Sequence, residues 1–327
     1  MDEILDRISK IGIVPVVKIT NPEHTIPLTQ ALYKGGIDVA EITYRSEYAT
    51  EAIRSISTNI PNMLVGAGTV TTVQQAVEAI EAGASFIVTP GFNPSVVSWC
   101  KEHSILILPG VSTASEIEQA LTYDLKVLKF FPAESSGGAK KLKDFYGPYA
   151  DIKFIPTGGI NAVNMHDYLN LPNVLAIGGS FMLPNDLIHA EDWNSIEVLS
   201  SHAIKSLLDY QLIHLGINAN SEEHSLEITQ QFCKLFHFTY YKKPKSNFAG
   251  KGFEIMHKPS RGTNGHIGIF TRYPERALYQ LAKENIYAIE ETITRNKKTN
   301  KINFVYLDLE IGGFAVHLIN PDVQMEV

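Results

Sequence analysis

The chain of 327 residues carries 28 Lys+Arg against 35 Asp+Glu, a formal net charge of −7, with 44% hydrophobic and 19% charged residues. This is a globular composition with length enough for two cores, and no apolar run approaches the roughly 20 residues that a membrane helix needs. Charge is unevenly divided: residues 1–210 hold 14 Lys+Arg against 23 Asp+Glu, a net of −9, while residues 211–327 hold 14 against 12, a net of +2.

An acidic first part argues against nucleic-acid binding there. In the second part the basic runs Lys242-Lys243-Pro244-Lys245 and Arg295 to Lys301 fall where turns are expected, and no aromatics interleave the Arg295 run, so they read as solvated loops. No nucleic-acid or membrane partner is expected. Cys100 and Cys233 are far apart with no metal or redox spacing, and the first residues are acidic where a signal segment would be basic and then apolar. Both features predict a reducing, cytoplasmic setting.

Short apolar, β-branched segments recur through the first part at residues 11–19, 38–45, 63–69, 86–90, 106–111, 127–133, 153–159 and 174–180, with amphipathic stretches between them. One such stretch opens with capping residues Thr71 and Thr72, places Val73, Ala76, Val77 and Ile80 on one face and stops near Gly83. Residues 112–121 repeat that arrangement. Strands alternating with helices imply right-handed parallel crossovers, and eight units in about two hundred residues fit a closed (β/α)8 TIM barrel, an α/β fold, over residues 1–210.

Functional groups of such barrels sit at the carboxyl ends of the strands. Those ends here carry Glu41 and Arg45, Gly66-Ala67-Gly68-Thr69, Thr89-Pro90-Gly91, Pro109-Gly110, Lys129-Phe130-Phe131-Pro132, Thr157-Gly158-Gly159 and Gly178-Gly179-Ser180. Period-2 alternation puts Glu41, Thr43 and Arg45 on one face of the second strand, and Lys129 with Val127 and Phe131 on one face of the sixth. Lys129 is the most informative of these residues. An amine inside an apolar strand must pair, neutralise or react, and an uncharged amine is the nucleophile that forms a Schiff base with a ketone. Glu41 and Arg45 also fit a plain ion pair, Phe131 fits core packing, and Glu134, beyond the strand, fits a loop anchor. Glycine pairs after the seventh and eighth strands let backbone N–H groups approach an anion, in the loops where barrels commonly hold phosphate.

Together the motifs Glu41-Ile42-Thr43-Tyr44-Arg45, Gly66-Ala67-Gly68-Thr69, Lys129-Phe130-Phe131-Pro132-Ala133-Glu134, Pro156-Thr157-Gly158-Gly159-Ile160 and Gly178-Gly179-Ser180 resemble the 2-keto-3-deoxy-6-phosphogluconate / 4-hydroxy-2-oxoglutarate aldolase family, over about residues 1–207. The resemblance implies a class I aldolase cleaving a 2-keto-4-hydroxy acid, phosphorylated in the leading case, to pyruvate and an aldehyde, with no metal or other cofactor for that step. It implies Lys129 as the Schiff-base lysine and Glu41 as general acid/base. Arg45 and Thr69 would hold the pyruvyl carboxylate, and Phe131 and Pro90 would wall the site. Thr157, Gly158, Gly159, Gly179 and Ser180 would line the substrate site and receive the phosphate, and the assembly would be a homotrimer.

From Leu212 the pattern becomes strand, helix, then strands, and does so twice. Residues 212–217 recur in 265–270, helices follow at 225–236 and 274–285, and further strands fall at 253–257, 303–310 and 314–319. Residues 211–327 are therefore expected to form an α+β domain of paired βαβββ modules. Such modules resemble the vicinal oxygen chelate, or glyoxalase-like, superfamily. The resemblance implies a divalent transition metal held by His214, Glu254, His266 and His317, three imidazoles and one carboxylate suiting zinc, nickel or cobalt. His317 departs from glyoxalase-like members, which usually supply a carboxylate there. A second reading makes the chain a sensor, with this domain binding a keto acid or aldehyde and the barrel serving as scaffold.

Overall fold

The computed structural model describes residues 2–320, and the chain divides into two compact units between Leu207 and Leu208. In the first unit eight parallel strands run β1 (Ile13–Val17), β2 (Val39–Thr43), β3 (Leu64–Gly68), β4 (Phe86–Val88), β5 (Leu106–Leu108, resuming after Pro109 as Gly110–Val111), β6 (Val127–Phe130), β7 (Lys153–Pro156) and β8 (Ile177–Gly179). Each pairs with the next, β7 reaching the β8 segment through the bridges Phe154↔Val174 and Thr157↔Gly178, and β8 returns to β1 through Val14↔Gly178 and Pro15↔Gly179. The result is an α/β, TIM-like ring.

Both faces of these strands are covered, so all five residues of β2 and of β3 are buried. That is why they read as apolar runs and not as alternating ones. The helices begin on side-chain caps: Thr72 accepts from the Gln75 N–H, and Thr113 and Glu116 form a reciprocal capping box ahead of the helix Ala114–Leu121.

One expectation is corrected. Arg45 does not continue β2 on the Glu41 face. The ladder ends at the register pair Thr43↔Gly68, and the Tyr44 N–H turns to the Gly68 carbonyl at 2.8 Å. Arg45 therefore lies in a turn, exposed, and is aimed by that turn and not by strand alternation.

The second unit holds β9 (Gln211–Asn218), β10 (Tyr240–Lys242), β11 (Ser246–Ala249), β12 (Phe253–Met256), β13 (Gly265–Phe270), β14 (Thr294–Arg295), β15 (Ile302–Ile311) and β16 (Phe314–Ile319). Helices Glu222–Phe236 and Pro274–Ala282 follow β9 and β13. Each half is thus one βαβββ unit. They share one sheet in the order β10-β11-β12-β9-β13-β16-β15-β14. First and last strands of each half pair in parallel, while β9 and β13 pair antiparallel at the centre, as an internal twofold requires. Among the described residues no helix is long and apolar enough to cross a membrane. Cys100 and Cys233 are both free, and burial pushes the Cys100 thiol up to about 12.

Candidate functional site

Lys129 stands third in β6, and its strand neighbours fix its backbone: its N–H donates to the Pro109 carbonyl at 2.9 Å and it pairs in register with Gly110 and Ile155. Its side chain enters the ring, where Nζ lies 3.0 Å from Oε1 and 3.3 Å from Oε2 of Glu41. Both residues are nearly inaccessible, at 6% and 3% exposure. The Phe131 ring lies 5.3 Å from the same Nζ, covering the amine with an aromatic face.

Glu41 reaches this position because the neighbouring strand makes room. A side chain on Gly68 would overlap the Glu41 carboxylate itself. Directly beyond, Thr69 takes a left-handed φ of 55°, a conformation rare for a β-branched residue and characteristic of functional sites. The buried Thr43 hydroxyl donates to the Val17 carbonyl at 2.8 Å and accepts from Arg45 Nε at 3.3 Å, which ties the guanidinium to the strand end.

The phosphate-type loops also meet. Thr157 bridges to Gly178, so the Gly158-Gly159 turn stands beside the Gly178-Gly179-Ser180 end. Ser180 and Arg45 line one cavity of about 400 Å³ at this mouth. Glu134 is a loop anchor: it accepts a hydrogen bond from the Tyr168 hydroxyl, its N–H donates to the Gly158 carbonyl at 3.1 Å, and burial together with this carboxylate pushes the Tyr168 phenol up.

This constellation has known relatives. The family model described as KDPG and KHG aldolase matches residues 4–199. The chain belongs to the KDPG and KHG aldolase family. It is 45% identical over 194 residues to the 2-dehydro-3-deoxy-phosphogluconate aldolase of Haemophilus influenzae, spanning 59% of this chain and 92% of that one. It is 44% identical over 193 residues to the KHG/KDPG aldolase of Escherichia coli K12, spanning 59% and 91%. Among solved structures, KDPG aldolase from Legionella pneumophila, with pyruvate captured as a covalent carbinolamine, superposes with a TM-score of 0.60 at 36% identity over 61% of this chain and 97% of that one. These relatives make this an aldolase, a carbon–carbon lyase, and the family match at residues 4–199 lies wholly in the first unit.

Of the barrel residues singled out in the sequence, Glu41 and Phe131 both lie against Lys129, and Arg45 and Ser180 share the cavity. Thr69 and Pro90 stand at the ends of β3 and β4, both half-buried. Sequence reasoning missed Lys18 and Asn185, which line the same cavity. Lys18 directly follows the apolar run of β1.

In the second unit His214 and His266 project from β9 and β13, and His317 from β16. Their ligand atoms all lie within 4.8 Å of one another, and all three residues are buried. His214 Nε2 is 3.1 Å from His317 Nε2 and 3.5 Å from Glu254 Oε2, and His266 Nε2 is 3.2 Å from the same Oε2. Ser246, which the sequence did not single out, donates to the other Glu254 oxygen at 2.6 Å. The rings fit because the internal twofold sets each against a glycine: His266 pairs with Gly216 and His214 with Gly268, and a side chain on either glycine would strike the facing imidazole.

The charge states suit metal ligation. Burial, reinforced by His214 and His266, pushes His317 down to about 3, and burial also lowers His214. For Glu254, burial alone would raise the carboxyl, but hydrogen bonds from His266 and Ser246 and the charge of the nearby imidazoles outweigh it and hold the group below its ordinary value. Near neutral pH the cluster therefore offers lone pairs on His214 and His317 and an ionised carboxylate. Donors around one ion at about 2.1 Å stand about 3.4 Å apart in a tetrahedron; three separations here are 3.1–3.5 Å, and the three imidazoles lie within 4.8 Å of one another as a group that does not include Glu254.

Replacing Gly68 with Ala is expected to displace the Glu41 carboxylate while leaving the barrel folded. Turnover should fall at least 10-fold with an unchanged far-ultraviolet circular dichroism spectrum, as expected when a positioned acid/base is moved from its place. Wild-type turnover in this variant would show that the Glu41 position is not critical.

Proposed function

We propose that the barrel is a Schiff-base aldolase that cleaves 2-keto-3-deoxy-6-phosphogluconate, 4-hydroxy-2-oxoglutarate or both to pyruvate and an aldehyde, glyceraldehyde 3-phosphate or glyoxylate, in a cytoplasmic homotrimer. The observation that carries this reading is the buried amine of Lys129 with the Glu41 carboxylate 3.0 Å away. An ammonium has no lone pair for attack, and Glu41 is the group placed to take its proton.

The chemistry follows from that pair. The freed amine adds to the C2 ketone, giving a carbinolamine whose hydroxyl takes the proton back from Glu41 and leaves as water, so that a protonated imine forms and Glu41 is ionised again. Glu41, directly or through a water, accepts the C4 hydroxyl proton. The C3–C4 bond then breaks, its electrons moving to the iminium nitrogen and leaving an enamine while the aldehyde departs. Protonation at C3 and addition of water release pyruvate and restore Lys129. Arg45, with Thr69 beside it, holds the pyruvyl carboxylate through a planar guanidinium offering two donors to two oxygens. Phe131 and Pro90 limit water, and Thr157 with the backbone of Gly158, Gly159, Gly179 and Ser180 receives the far end of the substrate. The paired lysine speaks against a barrel that is scaffold only.

The second unit, in the same proposal, is a glyoxalase-like vicinal oxygen chelate module. His214, Glu254, His266 and His317 hold one divalent zinc-, nickel- or cobalt-like ion that acts as a Lewis acid toward bound oxygen atoms. Its paired βαβββ topology and the fit of its donor set support that reading.

Incubation with pyruvate and borohydride should add a reduced pyruvyl group at Lys129 and nowhere else, read by peptide mass mapping. No adduct on folded protein sinks the aldolase mechanism. Glu41→Gln should keep a detectable adduct while slowing cleavage by roughly 10²-fold or more, and near-wild-type turnover would move the base elsewhere.

For the second unit, elemental analysis of tag-free protein purified without chelator should find close to one transition metal per chain, lost in His214→Ala and in His266→Ala. Absence of metal after reconstitution with zinc, nickel and cobalt in turn would leave this unit a binding or assembly module.

A further inference from the structure

Arg45 stands between two cavities. One, of about 400 Å³, is the mouth cavity that it shares with Lys18 and Ser180, and no carboxylate lines it. The other, of about 440 Å³, is an open hollow between the Arg45 turn and the helix Val73–Glu81, and its lining includes Gln75 and two carboxylates, Glu47 and Glu78. An exposed guanidinium on a long side chain is drawn electrostatically toward such carboxylates. Among the described residues, however, Arg45 makes no ion pair with either, and its one hydrogen bond goes to the Thr43 hydroxyl.

That hydroxyl is itself fixed. Thr43 ends β2, has 0% exposure, and carries two heavy atoms on Cβ that leave χ1 few choices. It donates to the Val17 carbonyl of β1 at 2.8 Å, so its hydrogen is committed to β1 and a lone pair is left to accept from Arg45 Nε at 3.3 Å. With Nε so engaged the plane of the guanidinium is set, and Nη1 and Nη2 remain as the pair of donors that matches the two oxygens of a carboxylate end-on. We infer that Thr43 is the positioning residue of the carboxylate site: acting through Arg45, it holds the guanidinium toward the mouth cavity and away from Glu47 and Glu78, with both Nη groups free for the substrate. That this carboxylate is the pyruvyl one rests on the aldolase reading.

Borohydride trapping on pyruvate and on acetone, a ketone without a carboxylate, separates this role from a structural one. Thr43→Val removes the hydroxyl at nearly unchanged size. It is expected to raise the pyruvate concentration for half-maximal trapping by roughly 10- to 100-fold, the range of one hydrogen bond to a charged group, while leaving acetone trapping unchanged. Thr43→Ser should return pyruvate trapping to within a few-fold of wild type, and in Arg45→Met protein Thr43→Val should cost nothing further, because the two residues act as one unit. Thr43→Ala carries the same comparisons if Thr43→Val does not fold. Equal losses on the two ketones, unchanged pyruvate trapping, or a further loss in the Arg45→Met background overturns the inference. Wild type that traps neither ketone removes the aldolase reading and this inference with it, whereas wild type that traps both while the variants fail these comparisons removes the inference alone.

Discussion

The barrel is organised around one buried ion pair. Taking an ammonium and a carboxylate out of water costs several kcal/mol per ion after relaxation, and removing one partner of such a pair typically costs about 3–5 kcal/mol. Lys129 and Glu41 come from strands 88 residues apart in sequence, so their contact forms only once the ring has closed. Gly68 leaves the space into which the carboxylate fits, and Phe131 shields the amine. A pair this expensive is weak evidence for stability. It is strong evidence for chemistry, because it places a proton acceptor against the one nucleophile that a carbonyl substrate would meet.

The strands and their order were legible in the sequence because a strand buried on both faces is a continuous apolar run, and the polar residues interrupting such runs mark the mouth. Lys129 could be flagged from its apolar neighbours, but those alone also fit a lysine that snorkels from a strand end, and its reading as a nucleophile needed the motifs around it. Arg45 could be named but not placed: alternation assumes that β2 continues, whereas the end of a strand depends on whether its neighbour still offers ladder partners, which is not a local property. Lys18 was legible as a charged residue closing the apolar run of β1. The short strands β10, β11 and β14 were missed because Tyr240–Lys242 and Thr294–Arg295 are mostly exposed and carry no apolar signal, and Ser246–Ala249, although buried, is half polar, through Ser246 and Asn247, and follows directly on a basic turn.

The histidine cluster shows a different kind of legibility. His214-Leu215-Gly216 and His266-Ile267-Gly268 are one tripeptide pattern used twice, and the antiparallel pairing of β9 with β13 sets each histidine opposite the other copy's glycine. The repeat in the sequence thus predicts both the pseudo-twofold and the space for the rings. Glu254 and His317 occupy equivalent last strands but differ chemically. A set with one carboxylate leaves a divalent ion with net positive charge, whereas two carboxylates would neutralise it. A divalent ion held by this donor set would favour anionic ligands.

Three cations serve the barrel mouth, and their partners decide what each can do. Lys129 is opposed by Glu41 at hydrogen-bond distance, so its proton has somewhere to go and its amine can become a nucleophile. Arg45 is anchored by a hydroxyl, which fixes its direction without neutralising it. Lys18 has no acidic partner among the described residues and lines the cavity with Arg45 and Ser180. A carboxylate beside either of the last two would compete with a substrate anion, and a missing carboxylate beside the first would leave the amine without an acceptor. No carboxylate lines the cavity, whereas one lies against Lys129, so the two parts of the barrel mouth differ in charge balance.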